Sequence, residues 1–337
     1  MELPRIRVQP EDFVVDELPL YAASGAGEHT FVRVEKRGLD TEDAARWLAN
    51  EAGVPLRDVG YAGRKDRVAV TRQWLSVPGL DPEKALALSR PGVRVLEACP
   101  HEHKLRTGHL RGNRFEIRVR DVDPVHRERV DAAAERIRLV GMPNRFGGQR
   151  FGRDGSNAER GAALLRGEWR SRDRRGARFL VSALQAAVFN EALRRRPLAL
   201  DRVEQGDVAR VEATGGLFVV EDVEREGRRA AAFEISSTGP IFGTRVLAPS
   251  GAVAEREAAA LAAFSVPAPA ELRPPRGIRL RGARRPLRVR PELAVSHCGA
   301  VLEIRCFLPA GSYATVLIEE LVGSVREAPE TATSSRG

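Results

Sequence analysis

The sequence predicts an α+β protein, a strand-rich domain interrupted by a more helical insertion. Three observations predict it. Segments in which apolar residues alternate with period two crowd roughly the first 140 positions and return over about the last 60. The stretch between them carries helix-period stripes joined by glycine- and proline-rich connections. A chain of 337 residues with 42% hydrophobic content is also longer than one average domain and rich enough to bury two cores.

In chain order, Ile6 and Val8 alternate as an opening strand, Pro10-Glu11-Asp12 turns, and Phe13-Val14-Val15 begins a second strand. A glycine-marked tip at 25–27 precedes a strand over 29–35. A helix follows: Asp40 or Thr41 supplies the N-cap, Glu42 and Asp43 suit the first-turn dipole, Ala44, Ala45 and Leu48 form the buried stripe, and Gly53 ends it. Over 59–75, two strand-like segments flank a basic loop. From Val68 onward, Val68, Val70, Arg72 and Trp74 share one face, and Ala69, Thr71, Gln73 and Leu75 the other. Asp81-Pro82 starts a short helix and 93–97 is a strand. A basic, glycine-punctuated loop over 104–115 feeds a strand with Phe115, Ile117 and Val119 on one face; here Phe115 reads as a core aromatic and Asn113 as a turn residue.

Asp123 or Pro124 opens a helix to about Leu139, stopped by Gly141 and Pro143. The glycine- and arginine-rich loop over 144–155 matches neither a phosphate-binding nor a dinucleotide fingerprint. Residues 156–195 read as helical, with Ser156 as one N-cap and a stripe of Leu180, Leu184, Val188 and Leu193. A Gly215-Gly216 turn precedes a strand over 217–220, a helix spans 252–264, and a proline-rich connector spans 266–275. Strands resume over 277–285, 287–289 and 301–307, and Ser312 caps a helix to about Val322. The polar tail, 327–337, reads as disordered.

No apolar run reaches the roughly 18 residues a membrane span needs, and residues 1–5 lack the apolar stretch of a secretory signal. A soluble, cytoplasmic protein is expected. Three scattered cysteines, Cys99, Cys298 and Cys306, form neither a disulfide framework nor a zinc motif, and His101 and His103 read as an exposed polar pair. Net charge is +9, and all but four of the 55 basic residues are arginine; the lysines are Lys36, Lys65, Lys84 and Lys104. Guanidinium suits bidentate phosphate contact, so a polyanion partner, RNA or DNA, is favoured. With only 5% aromatic residues, reading by shape and backbone with one or two pocketed bases fits better than extensive stacking.

One loop concentrates these properties. Arg64, Lys65 and Arg67 surround a lone acid, Asp66. That carboxylate either offsets local repulsion or serves as an ionised nucleophile or base in a site built for an anionic substrate.

Five motifs resemble the TruD family of tRNA pseudouridine synthases. They are Pro10-Glu11-Asp12-Phe13; Gly63-Arg64-Lys65-Asp66 with Ala69, Thr71, Gln73 and Trp74; Lys104-Leu105-Arg106 with Gly108, Leu110, Gly112, Asn113 and Phe115; a glycine-rich run from Pro143 to Gly152; and Leu308-Pro309-Ala310-Gly311-Ser312-Tyr313 with Thr315. Their order covers nearly the whole chain.

The resemblance implies a pseudouridine-synthase-type mixed β-sheet catalytic domain, 1–140 plus 286–326, interrupted by an inserted α/β domain over 141–285, with a V-shaped domain pair and an RNA-binding cleft between them. It implies isomerisation of uridine to pseudouridine in tRNA, at position 13, by a monomer that needs no cofactor, metal or membrane. Carried onto this sequence, Asp66 is the catalytic aspartate, and Phe13, Asn113, Phe115 and Tyr313 line the nucleotide pocket. Arg7, Arg64, Lys65, Arg67, Lys104, Arg106 and Arg150 are expected on the RNA backbone. Arg7 stands where some relatives have Lys, and Tyr313 where some have Phe. The chemistry suits these types: a carboxylate can attack the sugar or base or move a proton, and a base taken from its stack needs a pocket. Two other readings are a non-catalytic RNA-binding protein or chaperone, and a methyltransferase, which lacks its glycine-rich loop here.

Overall fold

The computed structural model describes residues 2–152, 154–168, 173–266, 278 and 280–327. Short β1 (Arg5–Ile6) is followed by a 3-10 turn, Pro10–Asp12, that feeds β2 (Phe13–Pro19). Strand β3 (His29–Arg37) leads to α1 (Thr41–Ala52). The Asp40 carboxylate accepts from the Asp43 amide at one end of α1, and Gly53 closes the other end in the left-handed conformation. Next come β4 (Gly60–Tyr61), β5 (Val70–Pro78), α2 (Pro82–Leu86), β6 (Ser89–Arg90), β7 (Val93–His101), β8 (Leu110–Val119) and α3 (Arg127–Val140).

The middle of the chain holds β9 (Met142–Pro143), α4 (Asn157–Arg166), α5 (Arg174–Arg194), β10 (Val208–Val211), β11 (Leu217–Val219), α6 (Val223–Ala231), β12 (Ile235–Ile241), α7 (Gly251–Ala262), β13 (Ala283–Pro286) and β14 (Arg288–Val289). It returns through β15 (Glu292–Cys298), β16 (Val301–Pro309), α8 (Ala314–Val322) and β17 (Arg326–Glu327).

The chain divides into two compact units: 1–135 with 291–314 and 318–337, and 136–290 with 315–317. The first is built on a mixed sheet in the order β15-β16-β8-β2-β5-β3-β7-β6, with β4 pairing on β5 as well. Strand β2 runs parallel to β5, and the other pairings are antiparallel. One face is buried under α1, whose Trp47 and Leu48 join Val32, Val34, Leu75, Val77, Val93 and Val95 in a core cluster. The alternation along β5 holds, and Ala69, Thr71, Gln73 and Leu75 are the buried set. Outside the large sheet, β1 pairs in parallel with β17, Arg5 to Arg326 and Ile6 to Glu327.

The second unit holds a four-stranded antiparallel sheet, β11-β10-β12-β13. Its helical core packs Leu184 and Val188 of α5 with Ala162, Leu164, Ala260 and Leu261. Strands β9 and β14 pair antiparallel, Met142 opposite Val289, which brings the two ends of this middle segment together.

Several local expectations change. Asn113 lies inside β8, opposite Glu17 and Leu308, because the extended ladder continues through it. Tyr313 rather than Ser312 occupies the N-cap position of α8, and Ser156 stands at the N-cap of α4 with its hydroxyl donating to Asp154 at 2.9 Å and making no capping bond to the helix. His101 is buried, its ring centroid 4.1 Å from that of Phe31 and stacked against Tyr21 at 5.4 Å. The proline-rich connector beyond 266 and the tail beyond 327 lie outside the described residues. Among the described residues, no helix is long and apolar enough to cross a membrane, and no group of three metal-ligating side chains occurs.

Candidate active site

Asp66 sits on the loop joining β4 to β5, with 39% of its side chain exposed. That loop is pinned at both ends. Ala62 is buried with Phe31 and Leu105, and its carbonyl accepts from the Gly108 amide at 2.8 Å. Just upstream, Gly60 tolerates no side chain, since a Cβ there would stand 2.3 Å from the Leu105 carbonyl oxygen. On the far side, Ala69 begins the buried register of β5.

The Asp66 carboxylate accepts from Arg7, Nη2 to Oδ2 at 2.7 Å. The other fork nitrogen of Arg7 donates to the Glu327 carboxylate on β17. The Arg7 guanidinium also lies over the Phe13 ring, 4.2 Å from its centroid. Phe13 in turn meets Phe115 edge-on, with centroids 5.9 Å apart. Carboxylate, guanidinium and two aromatic rings thus follow one another through consecutive contacts, assembled from the residue after β1, from β2 and β8, and from the Asp66 loop.

Phe13 and Phe115 are core rings, only 2% and 8% exposed. This corrects the expectation that Phe13 offers a stacking face, because the Arg7 guanidinium covers it. Asn113, two residues before Phe115 on β8, has a buried Oδ1 with no hydrogen-bond partner. Tyr313 is half-buried at the start of α8, five residues past Leu308, which pairs with Asn113. The sheet register places Tyr313 beyond the end of β16.

The basic residues divide in three ways. Lys65 turns inward and pairs with the buried Glu17 carboxylate, so its ammonium is a strut and not a phosphate contact; this corrects the sequence expectation. Arg64 and Arg67 face outward, Arg64 3.5 Å from Glu42 and Arg67 donating to the Gly38 carbonyl at 3.2 Å. Lys104 donates to the Arg57 carbonyl, and Arg106 is exposed. Arg150 belongs to the second unit, where it donates to the Ser182 hydroxyl and lies over Phe179.

Four residues outside the expected set hold the loop. Glu17 accepts from Lys65 Nζ and from the Trp74 amide. Thr41 Oγ1 accepts from the Lys65 amide at 2.8 Å and donates to Gln73 Oε1 at 2.9 Å. Lys36 Nζ donates to the Asp66 main-chain carbonyl at 3.1 Å. A signal existed for Thr71 and Gln73: they are polar residues on the face of β5 that also carries Ala69 and Leu75. Cys306 lies opposite Phe115 on β16, and burial pushes its thiol up to about 12, which leaves it without nucleophilic thiolate.

An accessible carboxylate held by a guanidinium, on a loop at the rim of a mixed sheet, defines a fold with a solved counterpart. The crystal structure of the putative tRNA pseudouridine synthase D (TruD) from Methanosarcina mazei superposes with a TM-score of 0.72 at 21% identity, covering 96% of this chain and 94% of that one. The family model for tRNA pseudouridine synthase D (TruD) matches residues 4–172 and 173–321, and the chain belongs to that family. Relatives carrying that name include one from Anaeromyxobacter sp. (strain Fw109-5), 45% identical over 96% of this chain and 94% of its own. Another, from Thermus thermophilus, is 43% identical over 94% of this chain and 88% of its own.

Proposed function

We propose that this chain isomerises uridine to pseudouridine in tRNA, at position 13, with Asp66 as the catalytic carboxylate. The observation that carries the reading is the Asp66 carboxylate itself: accessible, ion-paired with Arg7 at 2.7 Å, and mounted beside the Phe13–Phe115 pair. Family membership supports the substrate class. The reaction breaks the C1′–N1 bond, turns the base, joins C5 to C1′, and moves one proton from C5 to the base nitrogen released. Atoms and electrons balance with no redox partner. Asp66 can attack C1′ or the ring, or take the C5 proton; a carboxylate whose side chain is 39% exposed is open to each.

The Asn113 amide, next to this site on β8, faces the flipped base as a hydrogen-bonding group, and Tyr313 supplies an aromatic face. Arg64, Arg67 and Arg106, all exposed, contact phosphates, with Lys104 and Arg150 as weaker contributors. The catalytic domain comprises 1–140 and 286–326 and the inserted domain 141–285, a division supported by the two compact units. A tRNA substrate puts a monomeric enzyme to work in the cytoplasm.

Asp66→Asn tests the reading. Pseudouridine formation, followed by carbodiimide mapping or mass spectrometry, is expected to vanish while tRNA binding stays within about threefold. Net charge alone also supports RNA binding without chemistry; tRNA refolding that persists in Asp66→Asn, with no pseudouridine made by the unaltered chain, is the outcome for that reading.

A further inference from the structure

We infer that Lys36 is a positioning residue for Asp66, acting through that residue's main-chain carbonyl and through a fixed positive charge beneath the loop. The inference rests on the reading of Asp66 as the catalytic carboxylate.

Lys36 lies on β3, in register with Thr71 of β5 on one side and Val93 of β7 on the other. Its side chain is fully buried, 0% exposed. Nζ donates to two main-chain carbonyls, Leu39 at 2.6 Å and Asp66 at 3.1 Å. The first of these belongs to the turn into α1, and the second to the catalytic loop. One ammonium therefore ties the loop to the start of the helix. Thr41, two residues past Leu39, takes the amide of Lys65. The Asp66–Arg67 peptide, through its carbonyl, and the Arg64–Lys65 peptide, through its amide, are thus fastened to the same short segment, 36–41, and only Lys36 brings charge to that fastening.

Three further observations separate Lys36 from an ordinary core residue. A buried ammonium is costly to desolvate, so a site that needed only to satisfy two carbonyls gains nothing from a full charge. Burial pushes the Lys36 ammonium down to about 8, against the pull of Asp66, Asp40 and Asp43 and with a push from Lys65. Finally, this chain uses arginine for nearly every cation, yet two of its four lysines, Lys36 and Lys65, sit under the Asp66 loop. A compact ammonium fits a closed pocket where a planar guanidinium does not. Lys65 is neutralised by Glu17, Arg64 leans toward Glu42, and Arg67 caps Gly38. The cations that address Asp66 directly are Arg7, on its carboxylate, and Lys36, on its carbonyl.

The test is Lys36→Met, measured as single-turnover pseudouridine formation with enzyme in excess over unmodified tRNA. The rate is expected to fall at least tenfold, with the tRNA Kd within twofold and the circular dichroism unchanged. A folded variant that keeps its rate within twofold overturns the inference. Should the variant not fold, chains that keep Lys36 still decide: with 13C-lysine labelling, four Cε signals arise, assignable by Lys65→Arg, Lys84→Arg and Lys104→Arg. The Lys36 titration midpoint is expected to drop when Asp66→Ala removes the neighbouring carboxylate; an unmoved midpoint overturns the coupling. An inactive Asp66→Asn beside a fully active Lys36→Met overturns the role of Lys36 alone, whereas full turnover by Asp66→Asn overturns both readings.

Discussion

Arg7 holds a backbone conformation that side chains other than glycine avoid, φ 57°. Such a residue costs on the order of 1 kcal/mol and persists only where its surroundings over-determine it. Here they do: the guanidinium is 6% exposed, stacks on Phe13, and divides its fork between Asp66 and Glu327. Two carboxylates and a ring fix a plane that a point charge cannot fill, since lysine has one nitrogen and no flat face. Arg7→Lys is therefore expected to retain tRNA affinity and lower the single-turnover rate about tenfold, as the ammonium serves Asp66 or Glu327 but not both in one geometry. A rate unchanged from the parent shows that charge alone suffices. The sequence reading places Arg7 on the RNA backbone; the fold instead buries it against Asp66 and Glu327, a partnership the sequence could not show because 59 residues separate Arg7 from Asp66.

At the scale of elements, β8 and β16 meet so closely that one motif residue has to be glycine. A Cβ at Gly112 would stand 2.3 Å from the Leu308 carbonyl oxygen and 2.6 Å from the Phe307 ring. Asn113 and Phe115 follow directly on the same strand, paired with Leu308 and Cys306. Gly112→Ala is expected to part the strands, costing about 2–3 kcal/mol in urea unfolding, comparable with overpacking elsewhere in protein cores. Activity falls with it, because Asn113 and Phe115 shift. A midpoint within error of the parent refutes the close-approach argument. The alternation along β5 and the caps of α1 were readable in advance, since both depend on neighbours a few positions apart. Asn113 misled: its turn propensity lost to a ladder of partners from β2 and β16.

For the whole molecule, net charge +9 is the dominant long-range property. Several exposed arginines are already engaged with a nearby acid, such as Arg64 with Glu42, Arg118 with Glu303 and Arg228 with Glu224. Exposed pairs of this kind are weak, so phosphates compete for the guanidinium readily. Binding of tRNA is expected to weaken steeply with salt, the logarithm of Kd rising linearly with the logarithm of salt concentration as counterions are released. A flat dependence between about 50 and 200 mM salt removes phosphate contact as the source of affinity.

The order of strands and helices, the basic excess and the lone acid of the 64–67 loop were all legible in the sequence itself. Each rests on local periodicity, composition or a contiguous motif. The tertiary structure alone decided which charges matter around Asp66. It turned Lys65 inward to Glu17, sent Arg64 and Arg67 outward, and brought Arg7 from just past β1, Glu327 from β17 and Lys36 from β3 to the loop. The reason is physical: an ion pair or a buried ammonium is set by distance and desolvation in the folded sheet, and neither is visible in the spacing of residues along the chain.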